Sequence, residues 1–342
     1  MTYNVTCSTD DKYVQHCMAM LCSLYENNKD CEFVLHLLHH NLSQQAQTLI
    51  NMLTERYHNS VKFYDIDESG ISNVKIASNH PDLSIATYYR LFLSGLLDKS
   101  IDRVLYLDCD IIVAGDIKPI FQLELSGYAL AAVKDCLPQT DAHRQIIGLP
   151  LDGKAFCAGI LMINLDYWRE HNSQENMLKF ANEMGGKLVM EDQDVLNHEF
   201  RNHWFQLPYK YAHSPLSIVP LDKNQKWTDI QEYAFSPVIF HYAYILKPWL
   251  DIRIPGDQYY WKYVKLSGFP NPKQTKVSGS IRREIWIAKL RYYVNCYIHP
   301  FVPDFIEIPL KDIYKYIACF NHIFSPKRFK EDRIKMWLSK YQ

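Results

Sequence analysis

From its first residues the chain alternates short apolar runs with longer amphipathic stretches. Tyr3–Ser8 reads as a strand ending in Thr9-Asp10-Asp11, and a helical pattern follows from Tyr13 to Tyr25. Glu32–Leu38 and Val61–Asp65 predict two more strands, with a helix over Ser43–Tyr57 between them and Ser43 as its N-cap. Ser84–Leu97 predicts a helix that carries Arg90 among apolar neighbours and feeds the central run Val104–Leu107. The β-branched and aromatic members of that run mark a buried strand. A second apolar run, Ile111–Val113, follows at once after Asp108-Cys109-Asp110. Strands are also expected at Tyr128–Val133, Phe156–Leu165 and Phe235–His241, and a helical segment at Tyr167–Met184, while Met190–Phe200 opens with the acidic cluster Glu191-Asp192-Gln193-Asp194. Gly159, inside the longest of these strands, marks one close backbone approach. Strands alternating with helices argue for an α/β fold with a parallel, right-handed βαβ sheet. In such sheets ligands sit beyond the carboxyl ends of the strands, where Asp10 and the Asp108/Asp110 pair fall.

Composition adds boundaries to this picture. The 342 residues carry 37 Lys+Arg against 38 Asp+Glu, so net charge does not mark a nucleic-acid partner. The nine cysteines are odd in number and include no C-x-x-C pair, which fits a reducing compartment with neither a disulfide framework nor a structural zinc. The N-terminal MTYNVTCSTDD has no basic segment leading into an apolar one, and no apolar run reaches the roughly 18 residues a membrane span needs. A cytoplasmic address is expected. Neither G-x-G-x-x-G nor a P-loop follows the first strand, which argues against a dinucleotide or Walker-type site.

The candidate chemistry lies in the central stretch. Two carboxylates at i and i+2 where a buried strand ends are costly to desolvate unless something neutralises them. Hard carboxylate oxygens suit Mg²⁺ or Mn²⁺, and such an ion can also hold a diphosphate.

Six blocks in order then carry a resemblance: STDDKY (8–13), IATYYRL (85–91), VLYLDCDIIV (104–113), FCAGILMINL (156–165), EDQDVLN (191–197) and HYAYILKPW (241–249). Together the sequence resembles glycosyltransferase family 8, the retaining A-type enzymes that include bacterial lipopolysaccharide and lipooligosaccharide galactosyl- and glucosyltransferases. The resemblance implies a Rossmann-like, mixed and mostly parallel sheet flanked by helices. It also implies metal ligation by Asp108, Asp110 and His241, with Mn²⁺ favoured and Mg²⁺ possible. Asp10 would accept from the uracil or ribose, Tyr13 would face the base, and Arg90 and Lys247 would supply positive charge. Asp135 and Asp192 would bond sugar hydroxyls, and Gln193 would lie beside the anomeric carbon, so Asp192 and Gln193 are the implied catalytic pair. Ser8, Thr87, Cys157 and Ala158 fall at further donor-binding positions. The implied reaction moves a hexose, galactose or glucose, from a UDP-sugar to a saccharide acceptor, for example a lipid-linked glycan such as lipopolysaccharide core. Three positions depart from the family pattern: Cys157 stands where many members have Asn, Lys12 replaces an uncharged residue, and Tyr244 occupies a place that is often Gly.

Beyond about Pro270 the chain changes character. NPKQTK reads as a linker, dividing a catalytic domain (1–269) from an extension (270–342). Residues 277–342 hold 12 Lys/Arg against 6 Asp/Glu, a net of +6, leaving −7 for the rest of the chain's −1. Trp286, Leu290, Tyr293 and Tyr297 recur at helical spacing, as do Ile313, Ile317, Phe320 and Phe324. A third segment after Pro326 sets Ile334, Trp337, Leu338 and Tyr341 against lysines and an arginine. Basic, aromatic amphipathic helices suit an anionic membrane surface, so peripheral attachment to the inner face of the cytoplasmic membrane is expected. Two readings from other classes compete. One is a haloacid-dehalogenase-like phosphatase with Asp108 as nucleophile, against which stand the three βα units ahead of the motif. The other is a non-catalytic scaffold binding UDP-sugar, against which stands the complete Asp108, Asp110 and His241 set.

Overall fold

The computed structural model describes residues 2–76, 83–135, 140–150, 152–214, 236–243 and 247–297. Nine strands occur among them: β1 (Thr2–Ser8), β2 (Glu32–His39), β3 (Ser60–Asp65), β4 (Arg103–Leu107), β5 (Ile111–Val113), β6 (Leu130–Lys134), β7 (Phe156–Asn164), β8 (Trp204–Leu207) and β9 (Ile239–His241). Seven of them form one sheet in the order β3-β2-β1-β4-β7-β6-β8. The pairs β1–β2, β2–β3, β1–β4 and β6–β8 are parallel, whereas β7 runs antiparallel to both β4 and β6. The sheet is therefore mixed and mostly parallel. Alternation of strands and helices alone predicts an all-parallel sheet, because a hydrophobic pattern fixes which face is buried and not the direction of the chain.

Period-2 alternation splits the core into two layers. Leu105 and Leu107 of β4 join Val5, Cys7, Leu35, Leu37 and Met162 on one face, where the helices Val14–Asn27 and Asp257–Ser267 pack. Val104 and Tyr106 join Leu161, Ile163, Tyr88, Leu91, Trp168 and Leu196 on the other. Ser43 does cap the helix Gln44–Arg56, its hydroxyl accepting from Ala46 N at 3.3 Å.

Several expected elements take other forms. Over Ser84–Leu97 the chain makes a 3-10 helix, Ile85–Phe92, and then a single α-turn, Leu93–Leu96. Here the carbonyl of Thr87 is engaged by Arg90 Nε at 3.0 Å, a side-chain competitor for helix pairing. The helix expected over Tyr167–Met184 is broken into Leu165–Glu170 and Ser173–Met184 by Asn172, whose φ of 51° is a left-handed conformation that asparagine tolerates. The short strand β8 and the helix Asp141–Ile147 have no counterpart in the predicted elements. Of the expected strand Phe235–His241, Ile239–His241 is a strand, and Phe235 lies outside the described residues.

Pro270–Lys276, read as a linker, lies against the body. Lys273 N donates to Gln15 Oε1 at 2.8 Å, and Thr275 N donates to the Trp249 carbonyl at 2.8 Å. The helix Gly279–Tyr297 follows, tied to Asp251 by Arg282 at 2.6 Å. The two later amphipathic segments, with Trp337 and Phe320, lie outside the described residues, as does Tyr244. No helix among the described residues is long and apolar enough to cross a membrane.

Candidate donor and metal site

Strand connectivity and pairing bring together three side chains able to ligate a metal. Asp108 follows the last residue of β4 and Asp110 precedes β5, so both leave the carboxyl edge of the sheet through one turn. β5 pairs antiparallel with β9, setting Ile111 opposite His241, and Tyr242 N donates to the Asp110 carbonyl at 2.9 Å. His241 Nε2 lies 3.3 Å from Asp110 Oδ1 and 3.8 Å from Asp108 Oδ2. One ligand atom from each of the three residues falls within 4.8 Å of the others. Gly159 makes the convergence possible: a Cβ there would lie 2.4 Å from His241 Cε1 and 2.9 Å from Asp108 Oδ2. The close approach expected at this glycine is therefore made to His241 and Asp108 themselves. On its far side the imidazole is engaged by Cys157, whose sulfur is 3.6 Å from Nδ1, leaving Nε2 turned towards the carboxylates.

The electrostatics of this group are unbalanced in a way that suits a cation. Lys247 Nζ donates to Asp110 Oδ2 at 2.6 Å and to the Tyr242 carbonyl at 2.8 Å. Asp110 Oδ1 is buried with no hydrogen-bond partner among the described residues. Burial alone would raise the Asp110 carboxyl, but Lys247 and then His241 outweigh it and hold the group below the usual carboxylate range. An unpaired buried carboxylate oxygen is costly, and a divalent ion between it and the facing imidazole would satisfy both. Two carboxylates and one imidazole form a donor set suited to Mn²⁺ or Mg²⁺, so the residues present fit such an ion.

A second group adjoins the first through Asp108. The Arg90 guanidinium is 3% exposed and has its charge met on two sides. Its Nη2 donates to Asp108 Oδ1 at 2.8 Å, and its Nε lies 3.0 Å from Asp192 Oδ2. Nη1 donates to the Ala158 carbonyl at 2.6 Å, and the guanidinium carbon sits 4.0 Å from the centre of the Tyr106 ring. Asp192 opens the helix Asp192–Phe200 and accepts from the Thr87 hydroxyl. Burial pushes its carboxyl up to about 6, with Arg90 opposing. Gln193 accepts from Ala158 N at 3.0 Å and donates to Asp135 Oδ2 at 2.9 Å. Asn197, one turn later, pins the helix to β7 by exchanging 2.9 Å bonds with the backbone N and O of Phe156.

The remaining predicted residues lie around these two groups. Ser8 Oγ is 3.3 Å from the Tyr106 hydroxyl, which donates to Asp108 Oδ1 at 3.1 Å. Asp10 folds back on its own turn, accepting at Oδ1 from Lys12 N at 3.0 Å and Tyr13 N at 3.1 Å. Tyr13 meets Trp249 edge-on at 6.0 Å, and His16 stacks on the same indole at 3.6 Å. Lys247 Nζ, 5.6 Å from the Trp249 ring centre, links this aromatic wall to the metal-ligating group. Tyr106, Asn197 and His16 were not singled out by sequence. For Tyr106 the signal was its i, i+2 relation to Asp108, which puts both side chains on one face of an extended chain. His16 was marked only as a polar position within an apolar helix, one turn after Tyr13.

Known proteins resemble this chain in sequence and in fold. The family model described as "Glycosyl transferase family 8" matches residues 4–253. General stress protein A of Bacillus subtilis (strain 168) is 28% identical over 281 residues, covering 78% of this chain and 96% of that protein. A lipopolysaccharide 1,2-glucosyltransferase of Escherichia coli is 27% identical over 255 residues, 73% of this chain and 74% of its own. Some relatives are much longer: the chain spans 33% of glycosyltransferase GlyA of Streptococcus pneumoniae, at 26% identity over 73% of this chain. Among solved structures, the galactosyltransferase LgtC in complex with donor and acceptor sugar analogs superposes with a TM-score of 0.67 at 22% identity, covering 82% of this chain and 99% of that one. A second LgtC structure, with the same TM-score, carries a glutamine-to-glutamate change in its active site. The family match covers 250 of 342 residues and includes Asp108, Asp110, His241 and the Arg90-centred side chains described above, so this chain belongs to glycosyltransferase family 8.

Proposed function

We propose that this family 8 glycosyltransferase is a retaining hexosyltransferase that takes galactose or glucose from a UDP-sugar and passes it to a saccharide acceptor. The single observation that carries the reading is the Asp108, Asp110 and His241 convergence with its buried, unpartnered Asp110 oxygen. These residues would hold Mn²⁺, or Mg²⁺ in its place, and the ion would act as a Lewis acid on the diphosphate. Lys247, already beside Asp110, is placed to add positive charge against the leaving diphosphate. The aromatic wall of Tyr13, His16 and Trp249 offers surfaces for a base, and Asp10 and Ser8 lie at the same end of β1. Thr87, Arg90, Asp135, Cys157, Ala158, Asp192 and Gln193 would line the sugar side.

Retention at the anomeric carbon proceeds either by two displacements or by attack on the same face. The carboxylates of the site are engaged: Asp108 and Asp192 by Arg90, Asp135 by Gln193, and Asp110 by Lys247. That supports same-face attack, with an oxygen of the leaving diphosphate accepting the acceptor's proton and Gln193 beside the reacting carbon. An active-site glutamine in LgtC is consistent with this role. A phosphatase with Asp108 as nucleophile finds less support, because Oδ1 accepts from both Arg90 and Tyr106.

The acceptor is inferred to be a lipid-linked cell-surface glycan of the lipopolysaccharide-core kind. The lipopolysaccharide glucosyltransferase relative favours it. So does the helix Gly279–Tyr297, where Trp286 (66%), Leu290 (51%) and Tyr297 (52%) are exposed beside Arg282, Arg283 and Lys289. In this reading residues 1–269 are the catalytic domain and 270–342 bring it to the anionic inner face of the cytoplasmic membrane.

The test is a panel of nucleotide sugars incubated with and without Mn²⁺, scored for release of UDP in the absence of acceptor. Slow, Mn²⁺-dependent release from UDP-galactose or UDP-glucose is expected. Hydrolysis of phosphomonoesters instead would point to the phosphatase, and tight UDP-sugar binding without any release would point to a scaffold.

A further inference from the structure

Three cysteines converge beside the carboxylate turn and take no part in the reaction proposed above. Cys7 is the penultimate residue of β1, Cys17 lies on the helix Val14–Asn27, and Cys109 stands between Asp108 and Asp110. Their sulfurs all fall within 4.8 Å of one another, with Cys7 and Cys17 3.8 Å apart. Cys7 and Cys17 are fully buried and Cys109 is 7% exposed. Because they come from three separate elements, no spacing motif announces them.

We propose that Cys7, Cys17 and Cys109 form a binding site for one soft, thiophilic cation of the copper(I) class. Geometry and chemical class both support it. Three sulfurs at metal–sulfur bonds of about 2.3 Å in a trigonal set stand about 4 Å apart, so this cluster needs little movement to close on an ion. Thiolates select soft cations, whereas the carboxylate and imidazole set next door suits hard or borderline ones, so the two sites do not compete for one metal. A three-sulfur set also matches an ion content with low coordination better than one requiring four ligands. Cys109 has one further contact, its thiol donating to the Ser8 carbonyl at 3.2 Å, which ligation would replace. Each thiol that ligates gives its proton to solvent. Because Cys109 is the middle residue of the Asp108–Asp110 turn, an ion held here clamps that turn to β1 and to the first helix. The inference is independent of the donor and acceptor assignments.

The opposing possibility is that the three thiols serve only as small apolar packing groups. The full-length reduced protein would be titrated anaerobically with copper(I) against a competing chromogenic chelator. One equivalent should bind, giving the luminescence of a solvent-shielded copper(I)–thiolate centre and raising the thermal unfolding midpoint. Paired Cys7→Ser and Cys17→Ser substitutions should abolish the luminescence, while Cys31→Ser and Cys157→Ser leave it unchanged. X-ray absorption of the loaded wild-type protein needs no variant and should show a first shell of three sulfurs. A shell containing nitrogen or oxygen, no luminescence, or luminescence that also disappears in Cys157→Ser would overturn the proposal.

Discussion

The two groups that meet at Asp108 are built on opposite principles. Around Asp110 and His241 one carboxylate oxygen accepts no hydrogen bond: Lys247 donates to Oδ2, while Oδ1 faces only the His241 imidazole, 3.3 Å away. Around Arg90 the acids are answered by ion pairing inside the protein, Asp108 and Asp192 by the guanidinium at 2.8 and 3.0 Å, and Asp192 again by Thr87, with Asp192 Oδ2 itself accepting no hydrogen bond. The first arrangement would accept a cation from solution in the proposed function. The second carries its own in Arg90. It follows that damage to the first should appear in metal binding and turnover, and damage to the second first in stability.

The largest expected effect comes from Arg90→Met. Removing the guanidinium leaves the buried Asp192 and the partly exposed Asp108 without their cation, and breaking a buried ion pair in this way costs about 3–5 kcal/mol. Urea denaturation should register that loss directly; a variant as stable as wild type would contradict the idea that this group is structurally self-sufficient. Gly159→Ala should act on the other group. Its Cβ would lie 2.4 Å from the His241 ring, so the imidazole must move away from the carboxylates, lowering turnover by roughly 100-fold, or about 2.7 kcal/mol. Steady-state kinetics at saturating Mn²⁺ is the check, and wild-type turnover would show that His241 is not needed where it stands.

Protons extend the contrast. Burial lowers His16 and His213 to about 3 and His36 to about 4, whereas burial raises Asp192 to about 6. Each histidine's folded value is depressed, so between about pH 6.5 and 4 the unfolded chain binds the proton and the folded chain does not. Those three groups make stability fall as pH falls. Asp192 has the opposite sign, because between about 6 and 3.8 the folded chain holds the extra proton. For these four groups the balance is about two protons in favour of the unfolded state, so together they should make stability drop by roughly 2.7 kcal/mol per pH unit around pH 5. Denaturant melts across that range measure it, and a flat profile would contradict the burial of these imidazoles. The smallest effect is expected for Cys157→Ala. Loss of the contact to His241 Nδ1 frees the ring's orientation, and losing an outer contact of this kind costs about 10-fold in metal affinity. Cys157→Ser should recover most of it; equal affinity in all three proteins would leave the sulfur without an orienting role.

Much of this contrast was legible in the residues themselves. Val104–Leu107 running into Asp108-Cys109-Asp110 identified a strand end with two carboxylates, and Gly159 identified the close approach. Three things were not legible. Strand direction is one: β7 reads as a continuous apolar run whichever way it points, and its antiparallel placement is what brings Ala158 and Gly159 to Arg90 and His241. A second is the partnership of side chains far apart in sequence. Arg90 looked like a charge for the donor, yet its Nε, Nη1 and Nη2 all meet protein partners. The third is the cysteine convergence, since 10 and 92 residues separate Cys17 and Cys109 from their neighbours in that cluster.

The central claim is that Asp108, Asp110 and His241 form the cation site and that Arg90's group does not. Direct titration of Mn²⁺ in the presence of UDP, followed by the loss of the free-ion electron paramagnetic resonance signal, tests it. Wild type should bind one Mn²⁺ per chain. Asp110→Asn should weaken that binding by roughly 100-fold or more, equivalent to about 2.7 kcal/mol, while Gln193→Ala binds as wild type does. Unaltered Mn²⁺ affinity in Asp110→Asn would contradict the account.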